Sequence, residues 1–271
     1  MSAKTDRQPA IFLPHGGGPC FFMDWTWGPA NTWEPTRKFL ESIAASLPAS
    51  PKALLVISGH WEEPAFTLGS GAAPKLIYDY SGFPADTYRL TWPAPGDPAL
   101  ASRVAAMLGS AGVPVTTDPT RGYDHGVFVP LKVAFPEAQI PVVTLSLDHS
   151  LDPALHIAAG RALAPLRDEG VLIIGSGMSF HNLRGYFLPH TAERAQAFDS
   201  WLTGAVESPA KERNALLAKW RSAPFAPYAH PREEHLMPLM VASGAGGEAA
   251  GQRIFTDEPM GAQISAYRFD G

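Results

Sequence analysis

Residues 171–184 read VLIIGSGMSFHNLR. Val171, Leu172, Ile173 and Ile174 form an unbroken apolar run of strand length, closed by Gly175. With no polar residue alternating through it, such a run reads as a strand buried on both faces. Gly175 and Gly177 let backbone come close to a neighbour or a ligand, and His181 follows just beyond. The stretch reads as a buried strand delivering an imidazole past its carboxyl end.

The same grammar recurs. Ala10–Leu13 (AIFL) precedes His15 in LPHGGGP, and Ala53–Ser58 (ALLVIS) precedes His60 in SGHW. Ile140–Leu145 (IPVVTL) is a fourth such run. Helical patterns lie between them. Pro35–Leu47 opens on proline, and Asp97–Leu108 and Asp152–Arg167 each carry an Asp cap followed by proline. Ala192–Glu207, Ala210–Trp220 and Pro231–Ser243 read as further helices. Gln252–Thr256 and Ala262–Phe269 read as a hairpin, and Phe66–Leu68, Leu76–Tyr80 and Tyr88–Trp92 as smaller strands. Strands alternating with helices predict an α/β fold: a single domain over residues 1–271, with a central, mostly parallel or mixed sheet flanked by helices. Residues 1–9 read as a flexible N-terminus.

Composition narrows the function classes. Of 271 residues, 45% are hydrophobic and 17% charged, enough apolar material for a full core. A formal net charge of -5 with no Lys/Arg block argues against a nucleic-acid partner. No apolar run approaches the roughly 20 residues of a membrane helix. The start, MSAKTDRQPA, is polar, and the single cysteine, Cys20, has no partner within the chain; both point to the cytoplasm.

In open α/β sheets ligands gather at the carboxyl ends of the strands, where His15, His60 and His181 all fall. Imidazole is the commonest biological metal ligand, and a catalytic metal needs about three protein ligands with open positions left for reactants. Alone, each has a structural reading as well: a loop histidine at His15, a core imidazole beside Trp61 at His60, a helix-cap residue at His181. His230 and His235 bracket a helix start at Pro231, where Glu233 and Glu234 would serve the helix dipole. Tyr123, Asp124 and His125 read either as a turn or as groups orienting a polar substrate. His149 reads as supporting or structural, and His156 and His190 as helix-surface and loop residues. Trp61, Phe180 and Tyr123 are candidates to wall an aromatic ring.

The ordered series LPHGGGP, LLVISGHW, GYDHGVFVPL, IIGSGMSFHNLR and HPREEHLMPL resembles the class III extradiol ring-cleavage dioxygenases, and within them the 4,5-DOPA dioxygenase-like branch. The resemblance runs from about residue 10 to the C-terminus. It implies one Fe(II) or Zn(II) per chain held by His15 and His60, and His181 as the acid/base that moves the protons of a catechol opened with O2. It implies that His125 contacts substrate or oxygen. For the third ligand it points to His235, where ring-cleaving relatives carry a glutamate, with His230 and Glu234 as alternatives. Three histidines depart from the two-histidine, one-carboxylate set and suit zinc as well as iron. A zinc hydrolase and a non-catalytic aromatic-ligand-binding protein are therefore the rival readings. The resemblance leaves the catechol, the cleavage position and any homo-oligomer open.

Overall fold

The four apolar runs become the centre of the sheet. In the computed structural model, which describes residues 7–271, they are β1 (Ala10–Pro14), β2 (Ala53–Glu63), β5 (Val142–Asp148) and β6 (Val171–Gly177). All four run parallel, side by side as β5-β2-β6-β1. β1, β5 and β6 are buried at every position, as expected of strands covered on both faces.

The flanks make the sheet mixed. β3 (Phe66–Gly69) joins β5 antiparallel and pairs in parallel with β4 (Val115–Asp118). At the other side β8 (Ile264–Phe269) runs antiparallel to β1 and forms the expected hairpin with β7 (Gln252–Asp257). The full order is β4-β3-β5-β2-β6-β1-β8-β7. The helices are α1 (Glu34–Ser46), α2 (Pro98–Ser110), α3 (His125–Ala134), α4 (Pro153–Leu163), α5 (Thr191–Glu207), α6 (Ala210–Leu217), α7 (Ala226–Ala229) and α8 (Met237–Ala245). No helix among the described residues is long and apolar enough to cross a membrane.

Several expectations need correction. The helix expected from Pro231 begins at Met237 instead. Started at Pro231, it would place Pro238 in its interior, against the carbonyl of Glu234, at a cost of about 3 kcal/mol. At the first turn the missing N–H of Pro238 costs nothing. α8 is buried at all nine positions, wedged between α4 and β6. Leu76–Tyr80 is no strand: a single bridge joins Leu76 to Tyr123. Tyr88–Trp92 is none either, because Pro84 leads into a 3-10 turn, Ala85–Arg89, closed by Thr87 onto the Pro84 carbonyl at 2.7 Å. His156, expected on a helix surface, is fully buried against Phe66. Residues 1–6 of the expected N-terminal tail lie outside the described residues. Gln8 is built in, its amide on the Arg167 carbonyl at 3.0 Å.

Arg167 ties the two chain ends together. Its buried guanidinium donates to the carbonyls of Gln8, Ala245, Phe269 and Gly271. These bonds hold β1, α8 and β8 in register behind the sheet edge where the histidines gather.

Candidate metal centre

Three segments converge at the carboxyl edge of β1, β2 and β6. His15 follows β1 directly, its amide donating to the Gly177 carbonyl at 3.1 Å. His235 lies in the turn before α8, its carbonyl accepting from the Met178 amide at 3.0 Å. The end of β6 therefore anchors both. Gly177 makes this approach possible, because a Cβ there would run into the His235 carbonyl.

His60 arrives by a different route. It does not follow a strand; it sits inside β2. Ile57 pairs with Leu145 and Glu62 with Leu147, so a five-residue step on β2 faces a two-residue step on β5. The three extra residues form a bulge, a device that re-aims side chains. Its start is pinned by Ser58, whose hydroxyl donates to Asp124 at 2.7 Å and accepts from the His60 amide at 3.2 Å.

The result is one compact donor set. The Nε2 of His60 lies 3.2 Å from the Nε2 of His15 and 3.2 Å from that of His235. At His15, Nδ1 donates to the Gly16 carbonyl at 2.8 Å; at His235, Nδ1 donates to the Glu234 carboxylate at 2.9 Å. With those protons fixed on Nδ1, the Nε2 lone pairs point at a common centre. Burial, reinforced by the neighbouring histidines, pushes all three pKa values well below the ordinary imidazole value, so the rings are neutral. Ligands roughly 2.0–2.1 Å from a shared metal stand about this far apart, and a partner fixing the outer nitrogen is the usual support of a metal-bound histidine. The donor set fits a metal ion.

Two further histidines flank it. The His125 ring lies 3.9 Å from that of His60, at the start of α3. Both its Nδ1 and its amide reach one oxygen of Asp79 at 2.9 Å. The His181 ring stacks on His235 at 3.3 Å, with its Nδ1 3.6 Å from Glu234. Burial resists the charge on both carboxylates. The bond to His125 outweighs it at Asp79, and the His181 and Arg232 contacts do so at Glu234, so both pKa values are lowered. Surface cavities of about 490 and 620 Å³ lie elsewhere, lined by other residues; here donor chemistry, not volume, marks the site.

Residues 9–269 match the family described as the catalytic LigB subunit of aromatic ring-opening dioxygenase. The chain belongs to this family. It is a metal-dependent extradiol dioxygenase, acting on an aromatic substrate with O2. The enzyme is 42% identical to 4,5-DOPA dioxygenase extradiol of Beta vulgaris over 92% of this chain and 90% of that one. It is 38% identical to dioxygenase tasH of Hapsidospora irregularis, over 100% of this chain and 88% of that one. A crystal structure of an uncharacterized protein from Escherichia coli K12 superposes with a TM-score of 0.76 at 29% identity, covering 97% of this chain and 100% of that one.

The enzyme's fold also gives the sequence candidates different surroundings. His230 does not join the donor set: it is fully buried between Phe198 and Trp220, with Nε2 on the Ser179 carbonyl at 2.9 Å. Glu234, the other alternative ligand, sits behind His235 and holds its Nδ1. Tyr123 is buried in the core. Its buried hydroxyl is committed to the carbonyls of Pro95 and Val142. Trp61 turns to Glu63, with the Arg121 guanidinium over its ring at 4.7 Å. Its place next to His60 is why it reads as a site residue; neighbours on an extended chain point apart. Sequence reasoning missed Asp79. It lies in the aromatic stretch Ile77–Tyr80 (IYDY), where no local pattern signals a site.

Proposed function

We propose that the enzyme opens the ring of a DOPA-like catechol, with His15, His60 and His235 holding one Fe(II) per chain. The observation that carries this is the convergence of three neutral imidazoles with a carboxylate-backed histidine on either side. Bound there, the metal supplies a Lewis acid for the diol and a redox centre for its reaction with O2. Zn(II) suits the same donors but has no redox chemistry, so we assign it as a competitor for the site. The DOPA-like substrate rests on the names of the relatives in Beta vulgaris, Portulaca grandiflora and Escherichia coli.

The chain's own groups then have distinct tasks. His181 takes a proton from a catechol hydroxyl and returns one as the ring opens. Glu234 receives charge from its Nδ1 side. His125, its Nδ1 held by Asp79, orients the bound reactant from the other flank. Gly16 adopts φ +87, a conformation open to glycine, and so bends the chain away behind His15.

The test is anaerobic reconstitution with Fe(II) or, separately, Zn(II), followed by O2 uptake on a panel of catechols that includes DOPA. Uptake and a yellow ring-opened product with iron alone, abolished in His181→Gln, support the proposal. Iron-loaded protein that consumes no O2 with any catechol overturns it.

A further inference from the structure

Asp79 lies outside every strand and helix, yet it is held with care. Ile77 donates its amide to the Tyr123 carbonyl at 2.8 Å, and Tyr123 donates to Lys75 at 2.8 Å. This short bridge fastens 75–77 to the segment just ahead of α3. Two residues further on, on either side, Asp79 meets His125. The stretch after Asp79 is fastened as well, through Tyr80 to the Thr87 carbonyl and Tyr78 to the Leu90 carbonyl, both at 2.6 Å.

The contact does two jobs at once. One oxygen accepts the His125 amide and its Nδ1–H, each at 2.9 Å. The first bond caps α3, whose own cap residue, Asp124, spends its carboxylate on Ser58 and Arg121 instead. A carboxylate is also favoured at a helix N-terminus, where orphan N–H groups gather. The second bond fixes which ring nitrogen carries the proton. Among the described residues, His125 Nε2 makes no hydrogen bond and is not among the buried unpaired atoms, so it is accessible to a reactant.

We propose that Asp79 is a positioning residue for ring cleavage, holding His125 as its Nδ1–H tautomer so that the Nε2 lone pair faces the reactants. The proposal rests on the reading of His125 as a group that touches substrate or oxygen. Free imidazole side chains place the proton on either nitrogen, and a fixed acceptor decides between them. The other Asp79 oxygen lies 3.8 Å from His60 Nδ1, too far for a hydrogen bond, so its loss removes no hydrogen bond from the donor set.

The test compares Asp79→Ala, Asp79→Asn, His125→Gln and the Asp79→Ala/His125→Gln double variant, each with its metal content measured. In the diamagnetic Zn(II)-loaded protein, imidazole 15N spectra report the His125 tautomer directly. Asp79→Ala is expected to keep its metal, lose the fixed Nδ1–H state, and lower kcat by about 10- to 100-fold, the range typical of such orienting partners. Asp79→Asn retains an oxygen acceptor for both bonds and is expected to stay within about fivefold of the parent, on the same scale. In the His125→Gln background the Asp79→Ala change adds little, because the two act as one unit. Full turnover in Asp79→Ala beside a loss in His125→Gln overturns this proposal alone, as do additive losses in the double variant. Unimpaired turnover in His125→Gln overturns the reading of His125 and this proposal with it.

Discussion

The two histidines that flank the donor set are built on one plan with different tolerances. His125 has the close grip of its carboxylate: Asp79 holds its ring and its backbone through one oxygen at 2.9 Å, while the other oxygen stands 3.8 Å from His60. His181 shares its carboxylate. Glu234 gives its nearer contact, 2.9 Å, to His235, stands 3.6 Å from His181, and meets Arg232 at 3.3 Å. At 3.6 Å the His181 contact is electrostatic rather than a hydrogen bond. One flank is a fixed post; the other shares its carboxylate with a histidine of the donor set. A ring that only orients a reactant gains from being fixed. A ring that must accept and return a proton gains from a partner that adjusts.

The largest effect removes what both flanks depend on. His60 makes both 3.2 Å contacts of the donor set. His60→Ala should abolish metal retention after dialysis and reduce turnover below detection. Retained stoichiometric metal in that variant would show that the flanks, not the three central rings, hold the ion.

Next comes the comparison of flanks itself. His181→Gln should lower kcat by about 10²- to 10⁴-fold with metal retained, the usual contribution of a general acid/base. His125→Gln should cost less and keep the same pH profile shape. Equal losses with matching profiles would collapse the distinction between post and exchanger. Glu234→Gln sharpens it further. Because Glu234 contacts both His235 of the donor set and His181, metal affinity should weaken by about 10- to 100-fold along with kcat. Asp79→Ala breaks no hydrogen bond to the donor set, so its metal titration should match the parent.

The same contrast shows what a sequence can disclose. The four central strands were legible because burial on both faces writes itself as an apolar run. His15 and His181 were legible as residues just past such runs. His60 falls in the histidine cluster but was placed wrongly along its strand: a three-residue bulge depends on what β5 and α3 present to β2, not on SGHW itself. His235 came from the resemblance, and its helix was drawn too early because one proline looked like another. Asp79 was silent. Its task exists only once the bridge between 75–77 and Tyr123 has formed. Trp61 and Tyr123 show a related limit: nearness in sequence to a histidine says nothing of which way a ring turns. His156 was misread too, because helix periodicity does not show which neighbour covers a face.

His230 offers the smallest effect and the cleanest control, being a histidine of the same HPREEH motif with no carboxylate bonded to it. Burial first, opposed only in part by the Ser179 carbonyl and Glu234, pushes its pKa down to about 3. It is therefore neutral when folded and free to take a proton when unfolded, at the ordinary value near 6.5. Above that pH it leaves stability unchanged. As pH falls below 6.5 the unfolded chain binds the proton and the folded one does not, so stability drops by about 1.4 kcal/mol per pH unit until the folded pKa is reached. Between pH 6.5 and 5 that amounts to about 2 kcal/mol. His230→Gln keeps a donor for the Ser179 carbonyl and removes the titration. In urea unfolding of metal-free protein, the pH 7-to-5 loss should shrink by that amount relative to the parent. An unchanged loss would mean that the folded pocket takes up the proton. In that case neutrality by burial alone would not separate His230 from the histidines that carboxylates hold.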